Sequence, residues 1–316
     1  MAGLKFSCSR ACAIRAMVIL GLCFLAYLAY RSRDALQEVV STADKSAFVA
    51  AILLLVLANI FVSVLFAVML GGSGRVDGAR LRHVASVFLA TQLGKYLPGR
   101  VWSVVAQVST LRSAMSPSRV VIINIELAIV VVATTCGIGG ALVLAHRYGL
   151  ASGLLALAAA FALTASMVRL AWVRRVLAHG LSWVPALKRL AIVRDVDLDC
   201  ARPWSISIIA LAGFWVMYLA GWWLLVESLP GIDEVGTGLV VACLSLSYVA
   251  GLVSMLPAGL GAREAALVLL APVSGIPFEL MAMLAVSSRV ALILVDGIGA
   301  LVGFFAIRTL EGSRDA

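Results

Sequence analysis

The chain has 316 residues, of which 63% are hydrophobic and only 13% are charged, and its mean hydropathy is +1.07. Soluble domains carry roughly a quarter charged residues, so this composition excludes a soluble protein and predicts an all-α integral membrane protein with one polytopic domain over residues 1–316. The formal charge of +9 does not indicate nucleic-acid binding, because the basic residues lie in short connections between apolar runs.

Six apolar runs are each near the ~20 residues that a helix needs to cross the hydrocarbon layer. These predicted crossings are residues 16–30, 47–70, 120–145, 149–171, 204–226 and 280–307. The first follows a basic stretch, and no Ala-x-Ala cleavage site directly follows this long run, so we interpret it as an uncleaved signal anchor. The six cysteines are scattered without Cys-x-x-Cys spacing, so we expect no disulfide scaffold, metal site or cofactor.

The apolar segment 84–111 is interrupted by residues 94–100, which read GKYLPGR. A proline inside a helix removes a backbone donor, and a new helix start after Gly99 adds partial positive charge. Lys95 and Arg100 beside exposed backbone therefore favour an anion, phosphate above all. The alternative is that both cations snorkel to the cytoplasmic headgroups from a short interfacial helix.

The apolar segment 238–273 is interrupted in the same way by residues 256–264, which read LPAGLGARE. An unpaired guanidinium inside the bilayer costs about 2.5–3.5 kcal/mol on insertion scales, so Arg263 needs a partner or a polar cavity there. Glu264 is adjacent in the chain and cannot share its helical face, so we expect it to pair with another element. The alternative is an ordinary loop at the membrane surface.

Basic residues predict the orientation, because Lys and Arg accumulate in cytoplasmic loops. Nineteen of the twenty-five (3 + 7 + 7 + 2) lie in residues 1–15, 71–119, 169–202 and 308–316. Both termini are therefore predicted to be cytoplasmic. This orientation is consistent with the six crossings only if the first broken segment enters from the cytoplasm and returns to it. The second broken segment must likewise enter from the outer side and return there.

Two opposed broken hairpins are the signature of an inverted repeat whose half-helices meet near the middle of the membrane. The predicted repeat halves are residues 47–145 and 204–308. One competing interpretation is that residues 240–256 cross the membrane alone, which would place the carboxyl end outside.

The remaining charges inside apolar sequence are candidate charge partners. Arg119 precedes Glu126 by seven residues, and Arg289 precedes Asp296 by the same spacing. Glu126 or Asp296 could neutralise the cations of the broken segments, or Arg289, when no substrate is present. A static ion pair and a proton relay are both open.

Together the two interrupted motifs resemble the lysylphosphatidylglycerol synthase transmembrane-region family, over about residues 16–307. The resemblance implies a bacterial inner-membrane protein that moves, or helps to move, an anionic lipid or lipid-linked sugar between leaflets. It also implies that the following residues occupy motif positions: Lys95, Pro98, Gly99, Arg263 and Glu264. Residues 1–316 include no soluble aminoacyltransferase domain, so we do not expect lysyl transfer. Ala258 stands where we expect glycine in many relatives.

The leading functional hypothesis is thus flippase-like translocation, with a substrate site at Lys95, Tyr96, Pro98, Gly99, Arg100, Arg263 and Glu264. The alternative is a membrane accessory that binds a lipid-linked sugar and scaffolds a glycosyltransferase without transporting anything. An intramembrane transferase that uses Glu126 or Asp296 as base is a weaker third hypothesis. The sequence contains no His-x-x-x-His, nucleotide-binding loop or nucleophile elbow, so we do not expect an enzyme.

Overall fold

The computed structural model describes residues 43–71, 77–97, 101–170, 204–230, 236–254, 256–259 and 261–312, together with positions 41 and 176. This part of the chain is helical, without strands. Its helices are α1 (Lys45–Gly71), α2 (Gly78–Thr91), α3 (Trp102–Leu111), α4 (Pro117–Tyr148), α5 (Leu150–Leu170), α6 (Trp204–Glu227), α7 (Thr237–Val253), α8 (Ala262–Ser274) and α9 (Phe278–Gly312). Two 3₁₀ turns, Gln92–Tyr96 and Pro257–Gly259, follow α2 and precede α8.

Five helices, α1, α4, α5, α6 and α9, are long and apolar enough to cross a membrane. They confirm five of the six predicted crossings, and the sixth, at residues 16–30, lies outside the described residues. Hydrogen bonds from neighbouring residues determine where such a helix begins, as α1 shows. The Asp44 carboxylate accepts hydrogen bonds from the Ser46 hydroxyl and from the amides of Ser46 and Ala47 at the beginning of α1. The bond from the Ser46 hydroxyl, followed by those from the two amides, holds the pKa of Asp44 below its usual range.

The first broken segment forms a hairpin that returns to the side it entered. Its helices α2 and α3 have 14 and 10 residues, too few to cross the hydrocarbon layer. The Arg80 guanidinium, near the start of α2, donates a hydrogen bond of 3.2 Å to the carbonyl of Ala114, just after α3. The two ends of the segment therefore lie together, as a re-entrant path requires, and the cytoplasmic location of this side stays a prediction.

The second broken segment folds in the same way. The chain reverses between α7 and α8 through Ala258, Gly259 and Gly261, whose φ angles are +48°, +69° and +80°. The returning helix packs along α7, and beside the break a Cβ atom at Gly251 of α7 would lie 3.3 Å from the Cβ atom of Arg263 in α8. This segment does not cross the membrane alone, which removes the competing interpretation of residues 240–256.

The two hairpins enter from opposite faces of the membrane. The Asp44 amide at the start of α1 donates to the carbonyl of Ser228 at the end of α6, so these two helix ends lie on one face. The second hairpin follows this end of α6, whereas the first hairpin follows the opposite end of α1. The hairpin tips meet inside the protein. Leu93 and Tyr96 from the first turn form a buried cluster with Ala300 of α9, and Ala258 from the second turn packs against it.

Both halves of the protein have the same element order, which is a long helix, a broken hairpin and a second long helix. Moreover, α2 of the first half packs on α9 of the second, while α7 of the second half packs on α4 of the first. A twofold relation in the membrane plane would generate this exchange of neighbours. The inverted repeat over residues 47–145 and 204–308 stays a prediction, which this arrangement supports.

Glycines allow the hairpins to lie close against the long helices, as small residues commonly do between membrane helices. A Cβ atom at Gly303 of α9 would lie 2.6 Å from the Ala90 amide nitrogen and 2.6 Å from the Ser86 carbonyl oxygen of α2. Both of these are backbone atoms, which cannot move without shifting the whole helix. The α2–α9 contact therefore requires glycine at position 303.

We expect Gly303→Ala to destabilise the protein by about 1–3 kcal/mol, the usual cost of overpacking. Gly297→Ala on the same helix is the matched control, because nothing lies within 4 Å of a Cβ atom there. Thermal unfolding of the purified protein in detergent compares the two variants. Equal unfolding midpoints would contradict the close α2–α9 contact.

The predicted orientation can be tested with single cysteines in a cysteine-free variant. Arg112 and Lys45 are both exposed, and Arg112 lies at the mouth of the first hairpin whereas Lys45 begins α1 on the opposite side. A membrane-impermeant maleimide should label Lys45→Cys in intact cells and label Arg112→Cys only in inverted vesicles. Labelling of both positions from one side would contradict the opposed entry of the hairpins.

Candidate functional site

A cavity of about 260 Å³ lies where the two hairpin tips meet. Every described helix except α5 contributes to its lining. Asp296, which lines it, stands 18 residues after the start of α9 and 16 before its end (296 − 278 and 312 − 296), so it lies near the middle of that helix. The cavity is therefore deep in the membrane, at the level expected for a site between repeats.

The first hairpin is tied to α9 through Asp296. The Lys95 ammonium lies 2.8 Å from one carboxylate oxygen, and the Tyr96 hydroxyl donates a 2.6 Å hydrogen bond to the other. Asp296 is only 3% exposed, and such charge-assisted bonds are about twice as strong as neutral ones. Gly94 permits this turn, because a Cβ atom there would lie 2.6 Å from the Ser103 amide.

The second hairpin is tied to the same helix through Arg289. Its guanidinium lies 2.5 Å from a Glu264 carboxylate oxygen and donates a 3.2 Å hydrogen bond to the Ala258 carbonyl. Ala258 is the residue in the left-handed conformation at the break, so this bond satisfies a carbonyl that the interrupted helix leaves free. Glu264 thus pairs with another element, as its position next to Arg263 predicts.

Arg263 has a different environment, formed by aromatic rings. Its guanidinium carbon lies 5.2 Å from the Trp222 ring centre and 5.7 Å from that of Tyr248, within cation–π range. The side chain is buried, with the residue 4% exposed, and its Nε and Nη2 atoms have no hydrogen-bond partner within the part of the chain that the structure describes. Among the described residues, no carboxylate pairs with this cation.

A hydrogen-bonded chain of neutral side chains connects α2, α3 and α4 beside the cavity. The Asn124 amide donates to the Gln107 carbonyl oxygen at 2.7 Å, and the Gln107 amide donates to the Thr91 hydroxyl at 3.1 Å. Gln107 is 1% exposed. Sequence reasoning missed these residues and the aromatic rings around Arg263. An isolated amide inside an apolar helix, such as Gln107, is the signal that could have found them.

The structure brings Lys95, Tyr96 and Arg263 to one cavity, although they come from opposed hairpins. This placement does not fit Lys95 snorkelling to the headgroups or Arg263 lying in a surface loop. Their role as ligands to a substrate stays a prediction. The predicted site residues Pro98, Gly99 and Arg100 lie outside the described residues.

The three predicted charge partners take different positions. Asp296 and Arg289 line the cavity and hold one hairpin each. Glu126 is buried on α4 but does not line the cavity. The α4 residues that line it lie on another face of the helix, and they are Asn124, Leu127, Ala128 and Val131. The equal spacing of Arg119–Glu126 and Arg289–Asp296 therefore does not produce equivalent contacts with the cavity.

The sequence profile of the family described as lysylphosphatidylglycerol synthase TM region matches residues 13–299. This match covers both broken hairpins and all five described long helices, either whole or in large part. The chain belongs to this family. A comparison with curated proteins found no match.

Removing the charge of Asp296 should destabilise this family member, because Lys95 would be left without its partner. A buried pair costs about 3–5 kcal/mol to break, and since the Lys95 side chain is 28% exposed, we expect about 1–3 kcal/mol for Asp296→Asn. Thermal unfolding of Asp296→Asn, Lys95→Met and the double variant provides a double-mutant cycle. The double variant should recover part of the loss, whereas additive losses would contradict the coupling.

Proposed function

We propose that this protein moves an anionic phospholipid or lipid-linked sugar between the leaflets of the bacterial inner membrane. The observation that carries the proposal is Arg263, a buried cation to which no described residue offers a paired carboxylate, in a cavity between two opposed broken hairpins. An unpaired charge at this depth is costly. An anionic ligand would offset that cost.

The charge of the cavity supports an anionic ligand. Three cations, Lys95, Arg263 and Arg289, line it beside one carboxylate, Asp296, which gives a formal lining charge of +2 (3 − 1). Glu264, which pairs with Arg289, reduces this to +1. A guanidinium presents planar, paired donors that match phosphate oxygens, so Arg263 is the proposed phosphate ligand.

The attachment of both hairpins to α9 supports a transport mechanism. The tip of the hairpin from one face is held by Asp296, and the tip of the hairpin from the other face is held by Arg289. A headgroup phosphate that competes with Asp296 for Lys95 would loosen the first tip. Release of one tip at a time would open the cavity alternately to the two leaflets, a form of the gating by which transporters with inverted repeats work.

A leaflet-exchange assay in reconstituted vesicles tests the role of Arg263. We expect Arg263→Gln to slow the exchange of an anionic lipid by about tenfold or more, the effect of losing a hydrogen bond to a charged group worth about 1.5–3 kcal/mol. Arg308→Gln is the matched control, because Arg308 packs over Phe304 near the end of α9 and does not line the cavity. Unchanged exchange in Arg263→Gln would refute the proposal.

The same assay separates the rival functions. An accessory that scaffolds a glycosyltransferase would bind lipid without any leaflet exchange by the wild-type protein. A transferase that uses Glu126 or Asp296 as base would instead form product from purified components. Both rivals would leave the exchange rate at that of protein-free vesicles.

A further inference from the structure

The cavity is lined by two chemically different groups of residues. The second half of the protein supplies Arg263 and a set of aromatic rings, from Tyr218, Trp222 and Tyr248. The first half supplies a set of neutral polar side chains, which we call the amide wall: Asn59, Gln92, Ser103, Gln107 and Asn124. Arg263 is complementary to a phosphate, whereas the neutral side chains of the amide wall are complementary to a different chemical group.

The amide wall retains unused hydrogen-bonding capacity. Gln107 and the Asn124 amide nitrogen are occupied by the chain that runs to Thr91. Among the described residues, Asn59, Gln92 and Ser103 make no side-chain hydrogen bond. Each carboxamide offers donors and an acceptor, and polar groups at a buried site cost free energy unless they are paired. Hydroxyl groups, which both donate and accept, are the matching ligand chemistry.

The described lining of the cavity offers no unpaired carboxylate that could bind a cationic headgroup. Asp296 is the carboxylate that lines the cavity, and its two oxygens already accept from Lys95 and Tyr96. Glu264 is paired with Arg289. While Asp296 holds Lys95 and Tyr96, as it does in this structure, an ammonium group on a ligand would therefore meet like charges without a free carboxylate, which is the repulsion that discriminates against a wrong partner.

We infer that the headgroup of this cavity is a phosphodiester that carries a neutral, hydroxyl-bearing group. The phosphate lies at Arg263, and the hydroxyls lie along Asn59, Gln92 and Ser103. The cavity excludes a headgroup with an added ammonium, such as that of lysylphosphatidylglycerol. The inference rests on the proposed function for the location of the site and specifies its substrate class. Phosphatidylglycerol and a polyprenyl-phosphate hexose share the required chemistry.

Lipid binding to the purified full-length protein tests the inference with four probes. Phosphatidylglycerol and polyprenyl-phosphate hexose carry hydroxyls, phosphatidylmethanol is a phosphodiester without them, and lysylphosphatidylglycerol adds the cation. Titration in detergent should show at least one hydroxyl-bearing probe binding about tenfold more tightly than phosphatidylmethanol and lysylphosphatidylglycerol. The hydroxyl-bearing probe that binds more tightly shows whether the headgroup comes from a phospholipid or from a lipid-linked sugar.

A variant of the amide wall locates the hydroxyl contacts. Asn59→Leu with Ser103→Ala should weaken binding of the preferred hydroxyl-bearing lipid about thirtyfold, since each of the two hydrogen bonds contributes roughly fivefold, and leave phosphatidylmethanol binding unchanged. Ser109→Ala is the matched control, because Ser109 lies on the same helix as Ser103 and bonds its own backbone. If the double variant does not fold, Ser103→Ala alone should give about a fivefold loss.

Two results would overturn the inference while leaving the proposed function intact. One is binding of lysylphosphatidylglycerol as tight as that of phosphatidylglycerol, with both weakened by Arg263→Gln. The other is an equal loss of phosphatidylmethanol and hydroxyl-bearing lipid in the amide-wall variant. Failure of the proposed function has a different signature, which is lipid binding and exchange that do not change in Arg263→Gln.

Discussion

The attachment of both hairpin tips to α9 is the constraint on which the rest of this structure depends. Hydrocarbon supplies no hydrogen-bond partners, so a helix can break inside the bilayer only where protein satisfies the freed backbone and side chains. Asp296 does this for the first hairpin through Lys95 and Tyr96. Arg289 does it for the second through Glu264 and the Ala258 carbonyl. One helix thereby holds two hairpins that enter from opposite faces.

Asp296 and Glu264 are both engaged in structural ion pairs, and no carboxylate among the described residues is left to pair with Arg263. The aromatic rings of Trp222 and Tyr248 offset part of the cost of burying its charge, but they do not occupy its donors. A cation held in this way is preorganised for an anion and does not have to leave another partner first. The pairs at α9 and the unpaired Arg263 are therefore complementary, since the former maintain the fold and the latter is available for a ligand.

Hydropathy and basic-residue counts were sufficient to predict the five described crossings and the re-entrant paths, because both signals are local and strong. The proline and glycine breaks of the two motifs also located the cavity, since a charged break within lipid must be enclosed. Sequence reasoning, however, treated Glu126 and Asp296 as equivalent candidate partners for the buried cations. Only the rotation of each helix separates them, because Asp296 lines the cavity while the α4 face that does so carries Asn124 instead.

The sequence by itself determined that this is a helical membrane protein with two charged breaks facing each other, because apolar length, prolines, glycines and cations act over a few residues. The tertiary structure alone decided which charges pair. Lys95 and Asp296 are 201 residues apart in the chain, and no local pattern specifies that they meet. The same holds for the amide wall, where residues from α1, the first 3₁₀ turn, α3 and α4 share one surface only after the helices have packed.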